Sequence, residues 1–255
     1  MNFYIFNFDF DLISKLEDAG FTGTLFIYNT NEADYFTKIA RDVDVHKKIK
    51  YMVAIRPHVI SPEYLVRIHK SIQQISKDSR LQINLISGHM KPDEIDVVRT
   101  ISEVSNRSTP VERSKHLIKY IELLSNLEER DKPDYYVSVT NKFTYDVAAK
   151  NNEKMIIGYS QYLENFYDLK NKKVMISVTP ILRKTNEEIE GLKNYHVRNT
   201  SDLKMFTYEE MTNLVNNLKS DGINEIIYSA WSSEDTEEII NFVREYNQNN
   251  KENKN

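Results

Sequence analysis

The feature that most constrains this chain is an alternation. A short apolar run is followed by an amphipathic stretch, and the pair recurs eight times in 255 residues. The apolar runs at 3–8, 22–28, 49–55, 81–86, 135–139, 155–158, 174–182 and 223–228 predict strands. The stretches at 12–19, 32–41, 62–75, 111–124, 145–150, 161–167, 208–220 and 236–246 predict helices. Runs such as YMVAI, INLI and EIIYSA are apolar without clean alternation, as strands covered on both faces of a parallel sheet read. Eight strand–helix units in about 250 residues point to an α/β chain closed as a (β/α)8 TIM barrel. A doubly wound open sheet is the rival, although it usually holds fewer strands. The expected organisation is one barrel domain over 1–247 and a polar, disordered tail at 248–255.

Composition narrows the function classes. A net charge of −4 and a pI near 5.9 give no electrostatic case for nucleic acid or a membrane surface. There is no cysteine, which excludes disulfides, thiolate metal sites and a cysteine nucleophile, and suits a reducing compartment. No apolar run reaches the roughly 20 residues that span a bilayer. The start MNFYIFNFDFD carries acids and no basic segment, unlike a signal peptide. A soluble cytoplasmic protein is the expectation.

In a barrel of this kind, chemistry sits where strands end. The strand ends read Asn7 and Asp9, Tyr28 and Asn29, Arg56 and His58, Ser87-Gly88-His89, Ser138 to Asn141, Tyr159, Thr179 and Arg183, and Ser229 and Trp231. This set is polar, hydroxyl-rich and aromatic. It lacks an acid pair at glycosidase-like positions and a histidine cluster with metal spacing, so no metal is expected. A planar, phosphate-bearing ligand suits it. Ser138, Thr140 and Asn141 fall between a strand and a helix, where hydroxyls and helix N–H groups hold phosphate. Plainer roles stay open: Ser138 and Thr140 as helix caps, His58 bonded to a loop carbonyl, Gly88 as a turn residue, Trp231 as packing, Arg56-Pro57 as a stiff corner. No Walker, GxGxxG or GxSxG sequence occurs.

FTGTLFIYN, KYMVAIRPHVISPEYLVRIHKSIQQIS and LQINLISGH together resemble the bacterial luciferase-like flavin monooxygenases, nearest their alkanesulfonate monooxygenase branch. There a similar ALRP-x-x-x-SP corner precedes a helix and an apolar strand ending in NLVTG. LKSDGINEIIYSAWSSEDTEEIINFV is similar to the family's final strand and helix, and TPILRKTNEEIEG to its seventh strand and the helix start after it. The resemblance implies a (β/α)8 barrel that binds reduced FMN, or a deazaflavin, and reacts it with O2 to oxidise a small organic substrate. The flavin does the redox work and the protein supplies a dry pocket and anchors. By position, the resemblance implies flavin contacts at Ser87, Gly88, Ser138, Thr140, Asn141 and Trp231, with His58, His89 and Arg56 bordering the ring as catalytic groups.

Departures from the family pattern are equally specific. The glycine pair of its phosphate loop is absent from YYVSVTNK. The sulfonate branch's cavity-facing arginine and histidine fall at Ser177 and Thr179, its cysteine at Glu32, and the family tyrosine before the fourth helix at Pro110. The 183–207 loop is short where the branch carries a long lid. Three functions therefore stand open: a flavin-dependent monooxygenase; a non-catalytic flavin-binding barrel or partner subunit of an active homologue; and an unrelated barrel enzyme using Arg56, His58 and Asp9. The resemblance further implies a flavin reductase as partner and a homo- or heterodimer.

Overall fold

A computed structural model of the chain describes residues 1–7, 9–28, 34–57, 59–87, 110–128, 132–196 and 204–252. The predicted barrel forms. Eight parallel strands close in the order β1 (Asn2–Phe6), β10 (Glu225–Tyr228), β7 (Val174–Val178), β6 (Lys154–Gly158), β5 (Asp134–Ser138), β4 (Leu81–Leu85), β3 (Lys50–Ile55) and β2 (Gly23–Ile27). The chain forms two compact units, Leu25–Ile156 and Met1–Thr24 with Ile157–Asn255.

In the Leu25–Ile156 unit, Tyr51 pairs in register with Leu81, Ala54 with Asn84, and Asn84 with Tyr136. The Tyr51 hydroxyl donates to Asp42 at the end of the helix Tyr35–Asp42, so Tyr51, Val53 and Ile55 face the helix layer. Strand alternation then turns Met52, Ala54, Gln82, Asn84, Asp134, Tyr136 and Ser138 to the other face. That face carries polar groups within otherwise apolar strands. Gln82 Nε2 donates to Asp134 at 2.7 Å, and Lys154 Nζ pairs with Asp134 at 2.6 Å.

Local signals fix the helix starts. Ser61 caps the helix Pro62–Ser76, accepting from the Tyr64 N–H at 3.2 Å, and Pro62 takes a position where the missing N–H is harmless. Asn141 and Thr144 form a reciprocal capping box at Lys142–Lys150.

The other unit departs from the sequence reading in two places. The single strand expected over 174–182 divides. After β7 the chain leaves the barrel as β8 (Pro180–Arg183), which pairs in parallel with β9 (Lys204–Thr207) in a separate two-stranded sheet. Pro180 stands at the exit, where its lack of an N–H weakens barrel pairing. Arg183 is buried and anchors the new strand, with Nη1 on Asp235 at 3.1 Å and Nη2 on Glu234 at 2.9 Å. The expected loop at 183–207 therefore contains a helix, Asn186–His196, and a strand. The last helix, expected to stop at 246, runs Ser233–Glu252. Asn247 Nδ2 ties it to the Ala19 carbonyl at 3.1 Å, and Asn250 Nδ2 donates to the Tyr246 carbonyl at 2.7 Å. Polar side chains thus extend the helix into a stretch whose composition reads as tail.

Candidate functional site

β3, β4 and β5 lie side by side and end on the same edge. The residues just beyond them form a polar cluster within the Leu25–Ile156 unit. Ser138 closes β5, and its hydroxyl donates to Asn84 Oδ1 at 2.9 Å. Asn84 is 6% exposed. Beyond the strands, Ser87 Oγ lies 3.3 Å from Thr140 Oγ1. This contact is long for a pair of hydroxyls, so each keeps capacity for a better partner. Arg113, from the helix Pro110–Ser125, donates through Nε to the Ser87 carbonyl at 3.2 Å. Two hydroxyls and a guanidinium therefore meet at one strand edge.

Asn141 behaves differently from its neighbours. Its Oδ1 accepts from the Thr144 N–H at 3.0 Å, and its Nδ2 donates to Ser114 Oγ at 3.1 Å. Both ends of the amide are committed to capping and packing. The Thr140 and Asn141 N–H groups turn to Thr144 Oγ1 at 3.2 and 3.3 Å. Arg56 is the first residue after β3 and is half-buried. The corner that follows is clamped: the buried Tyr120 hydroxyl donates to the Ile60 carbonyl at 2.9 Å, and burial raises the Tyr120 pKa well above the usual phenol range. Trp231 belongs to the other unit and is 54% exposed, between β10 and the final helix. His58, Gly88 and His89 lie outside the described residues, as does Glu32.

Two participants were missed by the sequence reading. Asn84 was hidden inside an apolar strand, where its one signal was being polar in the run LQINL. Arg113 sits in an amphipathic helix among several charged residues, with nothing local to single it out. On β7, Ser177 registers with Ile227 and is half-buried; it leaves that position neutral.

The cluster has donors but no nucleophile–base pair among the described residues. No group of three metal-ligating side chains is found among them either. Two hydroxyls and a guanidinium are donors of the kind that hold an oxyanion or a polar heterocycle. The two described surface cavities, of about 270 and 510 Å³, lie in the other unit, both lined by the helices Tyr208–Ser220 and Ser233–Glu252 and the larger also by the end of the helix Ile13–Ala19. No residue of this cluster lines either one.

Fold and strand-end cluster together define a parallel (β/α)8 barrel with a donor-rich mouth. No protein-family model matches the sequence, and no curated protein matches it. Solved structures do match in fold. Apo-MsnO8 superposes with a TM-score of 0.70 at 11% identity, over 97% of this chain and 98% of that one. The long-chain alkane monooxygenase LadA gives 0.68 at 12% identity, over 94% and 83%. Riboflavin lyase RcaE, solved with modified FMN and the substrate riboflavin, gives 0.67 at 9% identity, over 95% and 90%. At such identities the likeness establishes the fold.

Proposed function

We propose that the chain is a luciferase-like flavin protein that uses a reduced flavin phosphate and O2 to oxidise a small organic substrate. The observation that carries this reading is the meeting of Ser87 Oγ, Thr140 Oγ1 and Arg113 at the ends of β4 and β5. A phosphoryl group accepts from two hydroxyls and a guanidinium at once, which neither hydroxyl achieves with the other. The phosphate end of FMN therefore fits the residues present. It does so through side chains, where the luciferase-like pattern uses a glycine pair and close backbone approach. Asn84, oriented by Ser138, would donate from its amide to a ring carbonyl. Gly88 is assigned to the flavin ring, and His58, His89 and Arg56 to proton handling beside it. Asn141 supports the site by fixing the helix start.

The bound flavin would supply the electron transfer; a deazaflavin would use the same anchors. The chain's own groups bind, orient and exclude water. Support for a flavin comes from the fold it shares with RcaE, and for an oxidative reaction from the fold it shares with LadA. Ser177 and Thr179 are neutral where the alkanesulfonate branch carries its arginine and histidine, so a sulfonate is a poor substrate candidate. A flavin reductase would deliver the reduced cofactor, and a luciferase-like homologue or a second copy would complete a dimer.

A second reading, flavin binding without turnover, is favoured by those same neutral positions. One set of titrations separates the readings. FMN and riboflavin are titrated, oxidised and reduced, following flavin fluorescence. Ser87→Ala with Thr140→Ala should weaken FMN about tenfold or more and leave riboflavin unchanged, at around 1.5 kcal/mol per lost charge-assisted bond. Equal losses for both ligands would move the phosphate elsewhere, and no binding of either would sink the flavin reading. Substrate-dependent O2 consumption with reduced FMN then distinguishes turnover from storage.

A further inference from the structure

The larger cavity, of about 510 Å³, has no part in the function proposed above. It lies in the Met1–Thr24 and Ile157–Asn255 unit. Its walls come from the end of the helix Ile13–Ala19, the last turn of Tyr208–Ser220 and the last turns of Ser233–Glu252. Gly20 precedes β2 and Lys219 precedes β10. The cavity is therefore at the end of β10 where the strand begins, opposite the edge where barrel chemistry sits.

Its charges are one-sided. Lys219, Arg244 and Lys251 line it against the single acid Asp18. None of the three cations is ion-paired with a described carboxylate. Lys219 Nζ instead donates to the neutral Tyr246 hydroxyl at 2.6 Å, and Arg244 Nη1 to the neutral Asn241 amide at 2.9 Å. Lys219 and Arg244 are half-buried. This happens in a chain with 38 acids and 34 Lys and Arg residues, where carboxylate partners are abundant. Lys219 and Lys251 stand in the last turns of their helices, where a cation complements the helix dipole; Arg244 lies inside its helix and has no such role. Asn247 Nδ2 serves the Ala19 and Gly20 carbonyls, and the N–H groups of Asp221 and Gly222 serve those of Asn217 and Lys219.

We propose that this cavity is a second binding site, for a small multiply charged oxyanion bearing phosphoryl or carboxylate groups. Its volume lies within the range of small-molecule pockets, and three cations, none ion-paired with a described carboxylate, supply the donors that such a ligand requires. Because no residue of the candidate cluster lines it, its ligand acts as an effector or stabiliser and not as substrate. The proposal does not rest on the flavin reading.

The test is calorimetric titration of the full chain with inorganic pyrophosphate and, separately, citrate at low ionic strength. At least one should bind with a Kd below about 1 mM. Arg244→Gln with Lys251→Gln should weaken it about tenfold or more, with an unchanged circular dichroism spectrum; if that pair misfolds, Lys251→Gln alone should still weaken binding. Ser87→Ala with Thr140→Ala should leave it intact. Pyrophosphate alone binding would identify a phosphoryl ligand, and citrate alone a polycarboxylate. Binding by neither, binding indifferent to the Arg244 and Lys251 changes, or binding lost with Ser87 and Thr140 would overturn the proposal.

Discussion

The Ser138 hydroxyl donates to Asn84 Oδ1 across 2.9 Å, joining β5 to the neighbouring β4 one residue before β4 reaches its own end. The Ser138 hydroxyl is thus placed to orient the side chain beside it. Removing either partner should therefore have similar consequences. Ser138→Ala and Asn84→Ala should each weaken flavin binding, while the double variant loses less than the sum, with a coupling of about 1 kcal/mol. Additive losses would mean that the two side chains act independently.

Two glycines separate strain from crowding. Gly20 has φ +87° and a Cβ there would sit 2.6 Å from Asn247 Nδ2, whereas Gly222 has φ +80° with open space around it. Gly222→Ala should cost about 1 kcal/mol from the left-handed backbone alone. Gly20→Ala should cost more, because Asn247 must also give up its bonds to the Ala19 and Gly20 carbonyls. Urea midpoints of the two variants check the order; equal losses would show that Asn247 moves freely.

Arg80 is 5% exposed and serves three groups. It donates to the His46 and Val43 carbonyls and pairs with Asp78 at 2.7 Å. Truncation leaves two part-buried carbonyls without their donor at the end of the helix Tyr35–Asp42. Arg80→Ala should lower stability by about 3 kcal/mol in urea unfolding. A loss within 0.5 kcal/mol or so, typical of surface changes, would show that the backbone finds other donors.

His69 is buried on the helix Pro62–Ser76, and both ring nitrogens lack a hydrogen-bond partner among the described residues. Burial holds its pKa below the ordinary histidine value, Asp134 opposing and Lys70 reinforcing the shift. The unfolded imidazole takes up its proton near pH 6.5, while the folded one resists it. Stability from this residue is thus complete above about pH 6.5 and falls as the pH drops towards the lowered folded value. His69→Leu should flatten the decline in urea midpoint between pH 7 and pH 5. A variant with the parent's pH profile would place the acid sensitivity elsewhere.

What the sequence by itself determined is what short-range physics encodes. Apolar runs without alternation gave strands covered on both faces, and Ser61-Pro62 marked a helix start. Each depends on residues a few positions apart. The tertiary structure decided the partners. Ser138 and Asn84 are 54 residues apart in the chain, and they meet because β5 lies beside β4. Asn141 reads as a ligand group in the sequence, and the fold brings Thr144 and Ser114 to the two ends of its amide. The run at 174–182 was continuous in hydropathy, yet it divides because Arg183 finds Asp235 and Glu234, and β9 supplies a new neighbour. Periodicity carries no information about which polar side chains face one another. That choice belongs to strand order and register, which exist only once the barrel has closed.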